Sequence, residues 1–191
     1  MMGTLVLIFL FAGTGPCKGA KMENRTRYIT HAAIIAALYA VLTHLQNIIL
    51  PGSATWMIQM RVSEALCIFA FFTPAAIPGL SLGCLLFNLT FAGSLPLDWI
   101  VGTLATFIAA AAMWYMKGIR ICRLPIFGLL MPAVTNAILV GWELSVYIGG
   151  AFLINAFYVA LGELAVLFVL GALLYTVIVN RGLDKKLFYR P

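Results

Sequence analysis

The sequence predicts an all-α integral membrane protein: six transmembrane helices in one bundle, with both termini on the cytoplasmic side. Three observations carry this prediction. The 191-residue chain is 63% hydrophobic and only 9% charged, where soluble domains carry about 25% charged residues, and its mean hydropathy is +1.05. Apolar runs bounded by turn residues recur along the chain; they are continuous, not alternating, which favours helices over a barrel. Eleven of the twelve bases fall in three clusters between these runs. Six acids and twelve bases cannot clothe a water-soluble globule of this size, so a soluble enzyme and a disordered tail are both excluded.

Residues 1–21 form an extension of doubtful status, and residues 22–191 form the membrane domain. The apolar run Thr4 to Ala12 falls short of the roughly 20 residues a spanning helix needs. Met1-Met2-Gly3 lacks the basic residues of a secretory signal, and Met22 is the expected biological start. The first helix is expected from about Tyr28 to Leu50, ending at Pro51-Gly52. The second runs from about Trp56 to Phe72 and stops at Thr73-Pro74. The third covers about Ala75 to Ala92, the fourth Leu97 to Met116, the fifth Leu124 to Trp142. The sixth, Tyr147 to Val179, is long enough to cross with tilt.

With six spans, the three basic clusters share one side. Lys18, Lys21, Arg25 and Arg27 precede the first helix. Lys117, Arg120 and Arg123 lie between the fourth and fifth. Arg181, Lys185, Lys186 and Arg190 follow the sixth. The positive-inside rule makes that side cytoplasmic. A count of five or seven would split the clusters, so the charges support six independently of hydropathy. The clustering is a topology signal and not a nucleic-acid footprint.

The polar residues left inside the spans are then asymmetric in depth. Arg61 and Glu64 enter the outer half of the second helix. Asp98 sits at the outer start of the fourth, and Glu143 falls in the outer turn after the fifth. Asn88, Asn136 and Asn155 lie in outer halves, Tyr158 follows Asn155 by three residues, and Glu163 sits near the midplane. An uncompensated charge at that depth costs at least about 2.5–3.5 kcal/mol. Polar groups at similar depth on several helices therefore point to one outward-facing cavity with an apolar floor. Each has a bland reading too: an internal Arg61–Glu64 pair, asparagines as interhelical glue, Asp98 as a helix cap, Glu143 as a solvated loop residue. Ala32, Ala36 and Ala40 form a smooth ridge on the first helix that lets another helix approach closely, within this chain or from a partner. Gly79 and Gly83 form a GxxxG pattern expected at an internal crossing. The scattered Cys17, Cys67, Cys84 and Cys122 read as small buried apolar residues, not as a disulfide or zinc framework. The chain contains no GxxxxGK[ST], HExxH or GxSxG, so no nucleotide or hydrolytic site of those kinds is encoded.

The run Gln59-Met60-Arg61-Val62-Ser63-Glu64-Ala65-Leu66, with Phe71-Phe72-Thr73-Pro74-Ala75-Ala76-Ile77-Pro78-Gly79-Leu80 and Gly83-Cys84, resembles the QueT family. Asp98 with Gly102-Thr103-Leu104-Ala105-Thr106, Pro132 with Asn136-Ala137, and Gly162-Glu163 extend the likeness across roughly Thr26 to Arg181. The resemblance implies a substrate-binding S-component of a bacterial energy-coupling-factor (ECF) transporter. Such a subunit has six helices and binds a micronutrient near the outer face. It works with a transmembrane T-component and two ATPases and needs no cofactor of its own. The implied substrate is a queuosine precursor, a 7-deazaguanine-type base, and the alanine ridge resembles the surface that docks on the T-component. A guanine-type edge offers adjacent N–H donors that Glu64 or Glu163 could accept. A ligand amine would suit Asp98 or Glu143, while Tyr158 or Trp142 could cover the ring. A stand-alone proton-coupled transporter, with Glu64 or Glu163 as relay, is the alternative. A small intramembrane enzyme using His31 or His44 is the weakest reading.

Overall fold

The computed structural model describes residues 22–53, 60–94, 96–121, 124–184 and 188. The expectations for residues 1–21, Trp56, Gln59, Cys122, Arg123, Lys185, Lys186 and Arg190 lie outside the described residues. Among the described residues the protein is helical, with one isolated bridge between Ile121 and Leu124. The elements are α1 (Met22–Ile49), a 3₁₀ helix (Val62–Phe71), α2 (Ala76–Thr90), α3 (Asp98–Met116), α4 (Ile126–Tyr147), α5 (Phe152–Val166), a π turn (Leu167–Gly171) and α6 (Ala172–Asn180). Four stretches are long and apolar enough to cross a membrane: Arg25–Ile49, Asp98–Met116, Ile126–Tyr147 and the continuous Phe152–Asn180.

Two departures from the sequence expectation bear on the site; in addition α1 begins at Met22 and not near Tyr28, and α5 at Phe152 and not Tyr147. The expected second α-helix is, where described, a 3₁₀ helix of ten residues, eight of them buried. Its ends explain the tight coil. Gln46 near the end of α1 bonds the Met60 carbonyl, and Tyr28 near the start of α1 bonds the Pro74 carbonyl. The eighteen α-helical residues from Tyr28 to Gln46 rise about 27 Å at 1.5 Å each. The fourteen steps from Met60 to Pro74 include the ten-residue 3₁₀ helix and would reach about 28 Å at a rise of 2.0 Å throughout, against only about 21 Å as a continuous α-helix. The second departure is α4, which runs to Tyr147 and not Trp142. The chain reverses only at Gly149 and Gly150, whose φ of 80° and 86° suits glycine.

Successive elements alternate in direction. α1 and α2 run side by side, with Gly79 against Ala32, Gly83 against Ala36 and Thr90 against His44. The 3₁₀ helix, which joins them in sequence, runs in the opposite direction. α3 descends from Asp98 beside Asn88, α4 rises from Leu129 to Tyr147, and α5–α6 returns past Asn136 to Tyr175, which stacks on Phe72 at 5.5 Å. Phe188 packs on Phe72 and edge-on to His31. The start of α1 and the end of α6 therefore lie at the same end of the bundle, called here the Met22 end.

Small residues set the closest crossings. A Cβ on Gly79 would lie 2.8 Å from the Ala32 carbonyl oxygen, and one on Gly83 would lie 2.7 Å from Tyr39 Cβ. On the other side of the bundle, a Cβ on Gly141 would lie 2.8 Å from Ala156 Cα. The alanine ridge is thus covered from within. Ala32 and Ala36 are buried under α2 and Ala40 is half-buried, so these three are not an open partner surface. The face of α1 left open carries Ala33 and Ala37 with Ile34, Leu38 and Val41.

The apolar core fills the Met22 half. Ile35, Leu66, Ile68, Phe71, Leu80, Met113, Leu129 and Tyr175 form one cluster from every layer of the bundle. Pro132 interrupts the α4 ladder, and one turn earlier the Phe71 ring lies over Gly128, where a Cβ would meet it at 2.5 Å.

Candidate functional site

Above that apolar floor lies a layer of charged and polar side chains, and the 3₁₀ helix starts it. Gln46 holds the head of this helix: Oε1 accepts from Val62 N at 2.7 Å, while Nε2 donates to Ser53 Oγ at 2.9 Å and to the Met60 carbonyl. Thr43 shares a 2.7 Å hydrogen bond with Ser63. With three residues per turn, Arg61, Glu64 and Cys67 stack in one column. Glu64, fully buried, accepts from Tyr39 Oη on one oxygen and from Cys67 Sγ at 3.0 Å on the other.

Arg61 is 6% exposed and sits at the junction of the helices. Its Nη1 lies 3.9 Å from Cys84 Sγ on α2. A Cβ on Gly102 of α3 would stand 3.0 Å from Asn88 Nδ2 and 4.0 Å from Arg61 Nη1, so glycine lets α3 close over both groups. The guanidinium interacts electrostatically with Glu64 and Glu163, and also with Glu143. Asn88 donates to the Asp98 carbonyl at 2.8 Å. The carboxyls of Asp98 and Glu143 face each other within hydrogen-bonding range. Asn136 on α4 donates to Glu163 Oε1 on α5 at 3.0 Å.

The layer is under-supplied with donors. Asn88 Oδ1, Glu143 Oε1 and Glu163 Oε2 are buried and receive no hydrogen bond. All three are acceptors, they come from α2, α4 and α5, and the two carboxylates share Arg61 as their neighbouring cation. Orphaned buried acceptors cost roughly 1–3 kcal/mol each, and more when charged. A ligand that presents N–H groups relieves that cost.

Seven of the nine expected ligand residues meet in this layer: Arg61, Glu64, Asn88, Asp98, Asn136, Glu143 and Glu163. Glu143 is not a loop residue but is 2% exposed inside α4. The other two expected residues, Asn155 and Tyr158, lie apart from the layer. Asn155 is buried, but its Nδ2 donates to Ser145 Oγ and the Gly149 carbonyl, both at 3.1 Å, so it clamps the α4–α5 turn. Tyr158 is 37% exposed beside Phe157. The buried face of α5 runs through Asn155, Val159, Gly162, Glu163 and Val166, and Tyr158 points roughly 80° away from its centre at 100° per residue. Trp142, half exposed, also faces outward. Sequence reasoning missed Tyr39, Gln46 as an anchor, and the polar use of Cys67 and Cys84. Tyr39 and Gln46 stand seven and fourteen residues after Ala32, on the ridge face already singled out for packing.

Among the described residues, the bundle carries its buried charged side chains, Arg61, Glu64, Glu143 and Glu163, in one interior layer walled by apolar helices. The chain belongs to the QueT transporter family, whose model matches residues 29–180, in keeping with the resemblance carried by the motifs from Gln59 to Glu163. It is accordingly a multi-pass membrane protein. No curated protein and no solved structure matches the chain.

Proposed function

We propose that this protein is the S-component of a bacterial ATP-driven ECF importer, and that it captures a queuosine precursor, a 7-deazaguanine-type base, in the polar layer. The observation that carries this reading is the set of three donor-starved buried oxygens on Asn88, Glu143 and Glu163. A guanine-type edge brings adjacent N–H groups that a carboxylate accepts in pairs; Glu163, steadied by Asn136, is that carboxylate. Arg61 donates to the ring carbonyl, and Glu64 balances its charge. The alternating elements support six crossings, and the basic clusters support cytoplasmic termini. The apolar floor closes the cytoplasmic side, so release inward requires the T-component and two ATPases. Docking on the T-component falls to the open α1 face at Ala33 and Ala37, beside the covered Ala32, Ala36 and Ala40.

The test is calorimetry on the purified full chain in detergent, titrated with 7-cyano-7-deazaguanine and 7-aminomethyl-7-deazaguanine, with adenine as control. At least one deazaguanine binds, adenine does not, and Glu163→Gln weakens binding at least tenfold. Absence of deazaguanine binding, or cellular uptake that persists without the ATPases, refutes the proposal.

A further inference from the structure

We propose that Asp98, Glu143 and Asn88 form a receptor for a primary ammonium group on the ligand, which takes the place of a proton shared by the two carboxyls. This rests on reading the polar layer as the ligand site, and it assigns one end of that site to a cation.

The argument begins with valence. Carboxylate oxygens only accept hydrogen bonds. Two carboxyls facing each other at hydrogen-bonding range, as Asp98 and Glu143 do, therefore need one proton between them. Asn88 adds an independent sign. Both donor contacts of its Nδ2 are spoken for, by the Asp98 carbonyl and Cys84 Sγ. Its Oδ1, on a side chain 1% exposed, is left with no donor. Glu143 Oε1 is orphaned in the same way. A primary ammonium carries three N–H donors, one for each of Asp98, Glu143 and Asn88.

Charge selects the same group. Among the described residues, the layer holds four carboxyls, Glu64, Asp98, Glu143 and Glu163, against the guanidinium of Arg61. The carboxyl pair with one proton carries one negative charge. When R–NH₃⁺ arrives and the proton leaves to solvent, the pair carries two negative charges and the ligand one positive, so the net charge is unchanged. The exchange avoids placing a new uncompensated charge in a low-dielectric interior. A neutral substituent at this place leaves the proton where it is.

Among the described residues, groups from several elements face this receptor. Arg61 faces Glu143 from the head of the 3₁₀ helix, and Cys84 flanks Asn88 on α2. On α4 the Tyr147 hydroxyl accepts from Leu97 N, next to Asp98. Glu64 and Glu163, from the 3₁₀ helix and α5, interact with Arg61 and with each other. None of these exchanges a proton with the ligand in this scheme.

The experiment is calorimetry of the full chain in detergent, repeated in buffers of different ionisation enthalpy, with the aminomethyl and cyano deazaguanines as probes. The aminomethyl base is expected to release close to one proton per molecule bound, and its affinity should rise about tenfold per unit of pH while the pair holds its proton. The cyano base should release none and show no such slope. Glu143→Gln and Asp98→Asn should abolish the proton release and weaken the aminomethyl base at least tenfold more than the cyano base. Equal affinities, equal proton counts, or equal losses for the two bases overturn the ammonium receptor and leave the base-binding proposal standing. Failure of both bases to bind overturns both.

Discussion

Gly83→Val tests the packing that holds the polar layer in place. A Cβ at this position would lie 2.7 Å from Tyr39 Cβ and 2.8 Å from the Ala36 carbonyl oxygen. One neighbour is backbone and the other is the root of a side chain, so neither can swing away. Ordinary contact begins at 3.4 Å, so α1 and α2 must part by about 0.7 Å here before the two γ-methyl groups are counted. Overpacking of this kind costs about 1–3 kcal/mol, occasionally more. Valine recovers only a few tenths of a kcal/mol over glycine in helix propensity, about 0.3 kcal/mol. A net loss of about 2 kcal/mol or more is expected. The shift also drags Tyr39, and with it the oxygen that holds Glu64, so deazaguanine affinity should fall as well. Reversible unfolding in mixed micelles with rising SDS, followed by tryptophan fluorescence, measures the loss. Gly118→Ala is the control, since a Cβ there meets nothing within 4 Å. If Gly83→Val proves as stable as the parent, the close α1–α2 crossing is wrong and so is the covering of the alanine ridge.

Two further substitutions separate binding from scaffolding. Tyr39→Phe removes a hydrogen bond to a buried carboxylate and should destabilise the fold by about 1.5–3 kcal/mol in the same assay; unchanged stability would mean Glu64 does not depend on Tyr39. Asn155→Ala removes two hydrogen bonds at the α4–α5 turn and should cost about 1–3 kcal/mol. The ligand affinity of the folded fraction should change less than threefold, and a tenfold loss would return Asn155 to the ligand site.

Much of the architecture was legible because membrane physics is strict. Hydropathy and basic clusters located the long helices to within a few residues, apart from the start of α1, which lies six residues before Tyr28, and the junction of α4 and α5. That junction was misjudged because Glu143 reads as a loop residue, while the glycines that reverse the chain come six residues later. The polar layer was legible because Arg61, Glu64, Asn88, Asn136 and Glu163 have few places to go inside a bilayer. What misled was periodicity at fine grain. Asn155 and Tyr158 are near neighbours on a helix, but only one of them lies on the buried stripe. The 3₁₀ coil was hidden because Arg61 to Phe71 has the composition of any apolar helix; only the distance between its two anchoring contacts demands the stretch. Cys67 and Cys84 looked apolar in isolation and gained polar partners only when that stretched column brought Arg61 and Glu64 beside them.

The two short elements also bear on how a four-span and a six-span drawing of this chain are told apart. The 3₁₀ helix and α2 travel in opposite directions, so a diagram that omits both keeps every other helix pointing the same way and leaves both ends of the chain where they were. Tags on either end would not detect the omission. The turn at Thr73 to Ala75 would: its Pro74 carbonyl meets Tyr28 at the Met22 end, whereas a four-helix drawing strands it on the opposite face. A reporter at that turn, not at the extremities, distinguishes the two drawings.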